Sequence, residues 1–168
     1  MTSVVTIFGS SHIKNGEPEY QKALELGMVL AKVGYIVCNG GYGGVMEASA
    51  RGAKEAGGRT IGVTTGDFES PANLWIDEEI RMKKWTKRLF KLIELGDAYV
   101  VFDGGTGTLV ELFMVWEMLN KELITKPLIV FGKVLKEMVR QIGEWPSVIP
   151  NRKIFFASEA KEVLEFLK

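Results

Sequence analysis

Residues 98 to 111 read Ala98-Tyr99-Val100-Val101-Phe102-Asp103-Gly104-Gly105-Thr106-Gly107-Thr108-Leu109-Val110-Glu111. The first five suit a strand buried on both faces, as in the interior of a parallel sheet. A polar, glycine-rich turn follows, and apolar residues then continue over a helix spanning 108–120. Strand, glycine turn and helix in that order are half of a βαβ unit, and the pattern recurs on both sides of this stretch. Upstream, the sequence predicts strands over 3–8, 35–38 and 60–63, with helices over 18–32 and 45–56. A less regular stretch, 64–76, carries the turn residues Gly66, Pro71 and Asn73. A basic helix over 80–95 leads into the strand at 98–102. Downstream come a strand at 128–131, a helix over 134–142, a short edge strand at 154–156 and a last helix over 158–167. Strands alternating with helices at this spacing imply an α/β fold, a single doubly wound parallel sheet flanked by helices and Rossmann-like. No repeat, low-complexity tract or linker divides the chain, so residues 1–168 read as one domain.

The polar clusters all follow strands. Gly9-Ser10-Ser11-His12 follows the first, Asn39-Gly40-Gly41-Tyr42-Gly43-Gly44 the second, Thr64-Thr65-Gly66 the third and Asp103 to Thr108 the fourth. In such sheets ligands bind beyond the carboxyl ends of the strands, at the point where the strand order reverses. One such turn could be purely structural, since strand-to-helix turns favour Gly, Ser and Asp. Consecutive glycines in several turns on one rim point instead to close approach of backbone to a ligand. Bare N–H groups at a helix start, reinforced by the helix dipole, suit a phosphate. The candidate phosphate-binding residues are therefore Gly9, Ser10, Ser11, Gly41, Gly43, Gly44, Gly104, Gly105, Thr106, Gly107 and Thr108. Neither GxGxxG nor GxxxxGK[ST] occurs, which argues against a dinucleotide fingerprint and a P-loop.

Composition narrows the function. The 168 residues are 46% hydrophobic and 25% charged, a soluble globular balance. Lys+Arg and Asp+Glu both number 21, so no bulk positive charge favours a nucleic acid. One cysteine, Cys38, and one histidine, His12, exclude a disulfide framework and make a metal site unexpected. No signal peptide or membrane-length apolar run is evident, and a cytoplasmic protein is expected.

Two side chains stand out as catalytic candidates. Glu111 lies one turn into the helix after the 103–108 turn, among apolar neighbours that solvate a carboxylate poorly. Arg88 closes the basic run 81–88, whose other cations read as a solvated face, and opens the apolar half of that helix. Of the remaining residues, Cys38 reads as core, and His12 as a turn residue or a ligand contact. Tyr42 reads as a base-stacking or exposed loop aromatic. Trp85 and Trp116 read as packing or interface residues.

At these residues the sequence resembles the Lonely Guy (LOG) family of cytokinin-riboside-monophosphate phosphoribohydrolases, long mislabelled lysine decarboxylases. The family's PGGxGTxxE hallmark corresponds to Asp103-Gly104-Gly105-Thr106-Gly107-Thr108-Leu109-Val110-Glu111, and the arginine of its MHxRK segment to Arg88. Its opening GSS and its GGGxxGLMG turn correspond to Gly9-Ser10-Ser11 and to Gly40 through Met46. The resemblance runs in order along nearly the whole chain. Asp103 stands where the hallmark has proline, Leu89 stands at the lysine, and the histidine is absent. The molybdenum-cofactor carrier proteins, a neighbouring branch, share the fold and the GGxGT string, and the short length is closer to them.

The resemblance implies hydrolysis of the N-glycosidic bond of a nucleoside 5′-monophosphate, releasing base and ribose 5-phosphate. Glu111 would act on the ribose and water, Arg88 would anchor the phosphate or orient Glu111, and no cofactor is needed. The alternative is a carrier of a nucleotide or phosphorylated pterin that uses the same turns without turnover. Either way the partner is a nucleotide-like phosphorylated small molecule, with no nucleic acid and no membrane. The segment Leu109 to Leu119 is apolar around nearly its whole circumference, more than one sheet can cover, so a homodimer or higher homo-oligomer is expected.

Overall fold

The computed structural model describes residues 3–168. Met1 and Thr2, which open the segment read above as lacking a signal peptide, lie outside the described residues. Seven strands, β1 (Val4–Phe8), β2 (Ile36–Asn39), β3 (Thr60–Thr65), β4 (Glu78–Met82), β5 (Ala98–Val101), β6 (Leu128–Val130) and β7 (Ile154–Phe156), form one sheet. All neighbours pair in parallel, in the order β4-β3-β2-β1-β5-β6-β7. The helices are α1 (Pro18–Lys32), α2 (Val45–Glu55), α3 (Trp85–Leu95), α4 (Thr106–Asn120), α5 (Lys133–Gly143) and α6 (Ala160–Val163), the last continued by a 3-10 turn over Leu164–Leu167.

Side chains alternate across the pleat, so each central strand feeds two cores. Val5 and Ile7 of β1 join Val100, Phe102 and Ile129 beneath α1 and α2. Phe8 joins Tyr99, Val101 and Leu128 on the other face, against Leu89 and Leu92 of α3, Leu112 and Trp116 of α4 and Leu135 of α5. Burial on both faces explains why these strands read as unbroken apolar runs. From β1 the sheet grows one way through β2 to β4 and the other way through β5 to β7. The order reverses between β1 and β5, and their carboxyl ends are where a ligand cleft belongs.

One expectation is corrected. Residues 80–82 do not begin a helix. They belong to β4, with Ile80, Arg81 and Met82 registered against Val63, Thr64 and Thr65 of β3, and the helix starts only at Trp85. The basic run suggested a helix, but backbone pairing with an edge of the sheet decides a short segment that local preference leaves open. Asp67, from the irregular segment, then marks the helix start by accepting the Trp85 N–H at 2.7 Å. Two smaller differences follow the same logic. Helix α4 begins at Thr106, and the C-terminal helix shortens to α6 with its 3-10 turn.

Candidate functional site

A cleft of about 290 Å³ opens beyond the carboxyl ends of β1 and β5. Its lining brings together Gly9, Ser10 and Ser11, then Gly105, Thr106, Gly107 and Thr108, and finally Arg88 and Glu111. His12, Tyr42 and Trp85 also line it, although Trp85 read as a packing or interface residue. Gly43 borders an adjoining recess with Ser11, His12 and Tyr42. Gly41, Gly44 and Gly104 are not part of either lining and shape the turns instead.

The turns interlock through backbone bonds. Ser10 N–H donates to the Asp103 carbonyl (3.1 Å), and Val45 N–H donates to the Ser10 carbonyl (2.8 Å). The first turn is thereby held between the second and the fourth. Gly44 makes this possible: its φ is +64°, and a Cβ there would run into the Ser10 carbonyl. In the fourth turn, α4 makes an early backbone bond from the Leu109 N–H to the Gly105 carbonyl (3.1 Å). The N–H groups of Thr106 to Thr108 precede it, with no partner within the helix, at its positive end.

Arg88 is 5% exposed and braced from below. Its Nε donates to the Val63 carbonyl (2.7 Å) and one Nη2 hydrogen to the Gly40 carbonyl (3.1 Å). Its guanidinium carbon lies 5.4 Å from the Tyr42 ring centre. Gly40 is required for this arrangement, because a Cβ there would overlap Nη2. The second turn is itself held by Asn39, whose amide donates to the Met46 carbonyl (2.9 Å) and whose Oδ1 accepts the Gly41 N–H (2.8 Å). With two of its donors committed to carbonyls, Arg88 presents Nη1 to Glu111, at 3.9 Å from Oε1. That is a charge pair without a tight hydrogen bond. Burial pushes the Glu111 carboxyl up to about 7 from its ordinary value near 4.5, with Arg88 pulling partly the other way. Burial also lowers the Arg88 guanidinium, which stays charged.

Asp103, the departure from the hallmark proline, points away from the cleft. Its carboxylate accepts the N–H groups of Val134 (3.1 Å) and Leu135 (2.9 Å) and caps α5, whose own N-cap, Gly132, has no side chain to do so. The extra negative charge is thus used at a helix start on the neighbouring strand connection. Sequence reasoning left Phe68 unremarked, yet it lines the cleft and packs at 5.6 Å against Tyr42. Its only signal was an aromatic residue in a polar, turn-rich segment.

Fold and site together define a Rossmann-like α/β protein with interlocked glycine turns at the switch point and a buried Arg–Glu pair beneath them. The SLOG cluster4 family model matches residues 2–156, and the chain belongs to that family. It is 35% identical over 97 residues to a cytokinin riboside 5′-monophosphate phosphoribohydrolase from Mycobacterium tuberculosis, covering 56% of this chain and 52% of that protein. It is 34% identical over 96 residues to an uncharacterised protein from Archaeoglobus fulgidus, covering 57% of this chain and 63% of that one. The chain thus aligns with between half and two thirds of the length of these relatives. Among solved structures, TM1055 superposes with a TM-score of 0.82 at 27% identity, over 99% of this chain and 98% of the other. A molybdenum cofactor binding protein from Rippkaea orientalis superposes at 0.77 with 24% identity, over 99% and 96%, a likeness of fold.

Proposed function

We propose that this protein hydrolyses the N-glycosidic bond of a nucleoside 5′-monophosphate, releasing the free base and ribose 5-phosphate. One observation carries the reading: Glu111 and Arg88 share a cleft with the open N-terminus of α4. The N–H groups and hydroxyls of Thr106 and Thr108, with Ser10 and Ser11 opposite, suit the 5′-phosphate. A phosphate held there leaves the ribose toward Glu111. Cleavage breaks the bond from C1′ to the base nitrogen and builds positive charge on the ribose ring. The ionised Glu111 carboxylate stabilises that charge and takes a proton from the attacking water, whose oxygen bonds to C1′. The base departs with the bonding electron pair and takes up one proton, which balances the proton Glu111 removes from the water, so that water is the only co-reactant and the carboxylate is regenerated. A carboxyl that titrates near neutrality suits proton transfer at physiological pH. Arg88 holds the negative charge in place and limits how far burial raises it. The chemistry calls for no metal or redox cofactor, and the similarity to a phosphoribohydrolase supports the same reading.

The protein is further proposed to work as a homo-oligomer. Helix α4 buries Leu112, Val115, Trp116 and Leu119 beneath itself but leaves Val110 and Phe113 each 39% exposed beside the Glu111 turn. An uncovered apolar strip of this kind is best buried against a second copy.

The test is incubation with a panel of nucleoside 5′-monophosphates and assay for free base and ribose 5-phosphate. Glu111→Gln should lower the rate about 100-fold or more and leave affinity within a few-fold, as loss of a positioned acid–base group does. A wild-type protein that binds a nucleotide and never releases base is a carrier, and the hydrolase reading is then wrong.

A further inference from the structure

A base that leaves C1′ with the bonding electron pair needs a proton, and a group in the cleft must give it. Glu111 is occupied with the water, so a second group is required. Among the described residues that line the cleft, the side chains able to ionise are His12, Tyr42, Arg88 and Glu111. Arg88 stays charged, and two of its donors are committed to the Val63 and Gly40 carbonyls. The Tyr42 hydroxyl is turned onto the Thr65 N–H, which it accepts at 3.0 Å, and the Tyr42 ring packs against Phe68. His12 remains, and imidazole is the side chain that most often gives or takes a proton in a reaction near neutrality.

His12 also stands at the end of the cleft where the base emerges. It lines both the cleft and the adjoining recess of about 500 Å³, which it shares with Ser11, Tyr42, Phe68 and Ser70. Neither Glu111 nor the N-terminal residues of α4 border that recess. A nucleotide with its phosphate at α4 and its ribose at Glu111 therefore extends its base toward His12. The turn fixes the backbone there. The His12 N–H donates to Ser10 Oγ (3.0 Å), and Ser10 is itself pinned between the Asp103 carbonyl and the Val45 N–H. The side chain is exposed, and among the described residues no hydrogen bond or ion pair ties down its ring. A free imidazole on an anchored backbone can turn onto a bound base without breaking any contact.

We propose that His12 is the general acid of the reaction, a second catalytic residue beside Glu111. The imidazolium gives its ring proton to a nitrogen or carbonyl oxygen of the base as the electron pair of the C1′–N bond moves onto the base. The water oxygen bonds to C1′, and the water proton passes to Glu111. Turnover thus leaves His12 neutral and Glu111 protonated, and the passage of one proton from Glu111 to His12 through solvent restores both. Water is the sole reactant consumed with the nucleotide. This inference rests on the reading of the cleft as a phosphoribohydrolase site.

The test varies the leaving base. AMP, GMP, CMP and UMP each release a base that needs a proton. Nicotinamide mononucleotide and 7-methylguanosine 5′-monophosphate carry a base that is already cationic and departs uncharged without one. His12→Gln, at an exposed position, should lower kcat about 100-fold or more for whichever ordinary nucleotides the wild type cleaves and leave KM within about three-fold. The same variant should slow the two cationic nucleotides by less than about three-fold, because a general acid has nothing to do there. In His12→Ala, added imidazole should restore part of the lost rate on ordinary nucleotides. A structural role for His12 would slow all the nucleotides alike, and a phosphate contact would raise KM for all of them. Either result, or an unaltered rate in His12→Gln, overturns the assignment and leaves the hydrolase reading intact. If the wild type does not turn over the cationic nucleotides, failure of imidazole to rescue His12→Ala overturns it. If the wild type releases base from none of the six, the hydrolase reading itself falls and the inference with it.

Discussion

Replacing Glu111 with Gln should make the protein more stable at alkaline pH while removing its proposed activity. The carboxyl is 14% exposed, faces Arg88 at 3.9 Å without a tight hydrogen bond, and titrates at about 7 instead of near 4.5. Raising a carboxyl by that much means that its charged form costs the folded state about 3 kcal/mol, at about 1.4 kcal/mol per tenfold change in proton affinity. The sign follows from proton uptake. Between the two values the folded protein holds a proton on Glu111 that the unfolded chain has lost. Stability from this group is therefore complete below about pH 4.5 and is lost as the pH rises through about 7. Glutamine resembles the protonated carboxyl and keeps that stability at every pH. The melting temperature of Glu111→Gln should match wild type near pH 4.5 and exceed it increasingly through neutrality. The gap should level off above pH 8 at about 6–12 °C for a domain of this size. Paired thermal melts of both proteins from pH 4.5 to 9 measure it directly. A gap that does not change with pH, or a wild type more stable than the variant at pH 9, would refute the claim that burial of an incompletely compensated charge sets the Glu111 proton affinity.

Three further outcomes follow from the same geometry. Gly40→Ala should leave the fold intact but displace the Arg88 guanidinium, whose Nη2 occupies the space of the new Cβ, and cut hydrolysis about 10-fold or more. Circular dichroism and the product assay together check this, and full activity would show that Arg88 need not lie where it does. Asp103→Ala should remove the cap on α5 and cost about 1 kcal/mol in denaturant unfolding, with catalysis little altered because the carboxylate faces away from the cleft. Phe113→Glu should give monomers by light scattering at micromolar concentration if α4 forms the interface. A monomeric wild type would dispose of the assembly altogether. Trp116 is the poorer probe, since it is buried beneath α4 and a charge there would test folding instead.

Much of this protein was legible from local pattern. Apolar runs separated by amphipathic stretches announced a parallel sheet covered on both faces, because burial on two sides leaves no polar alternation in a strand. The glycine clusters marked the carboxyl rim, because only turns that follow strands of a parallel sheet share one side. Arg88 and Glu111 could be singled out as charges set among apolar residues. What they do to each other could not. Arg88 takes its bonds from carbonyls 25 and 48 residues away in sequence, and Asp103 turns from the cleft to cap a helix more than 30 residues on. Residues 80–82 are a strand only because an edge of β3 is free to pair with them, and Phe68 meets the cleft only because its segment is tied to Tyr42 and Trp85. Helix and strand periodicity are encoded within a dozen residues. The direction of a side chain, its partner and the proton affinity of a buried carboxyl are set by groups distant in the chain, and only the folded arrangement brings them together.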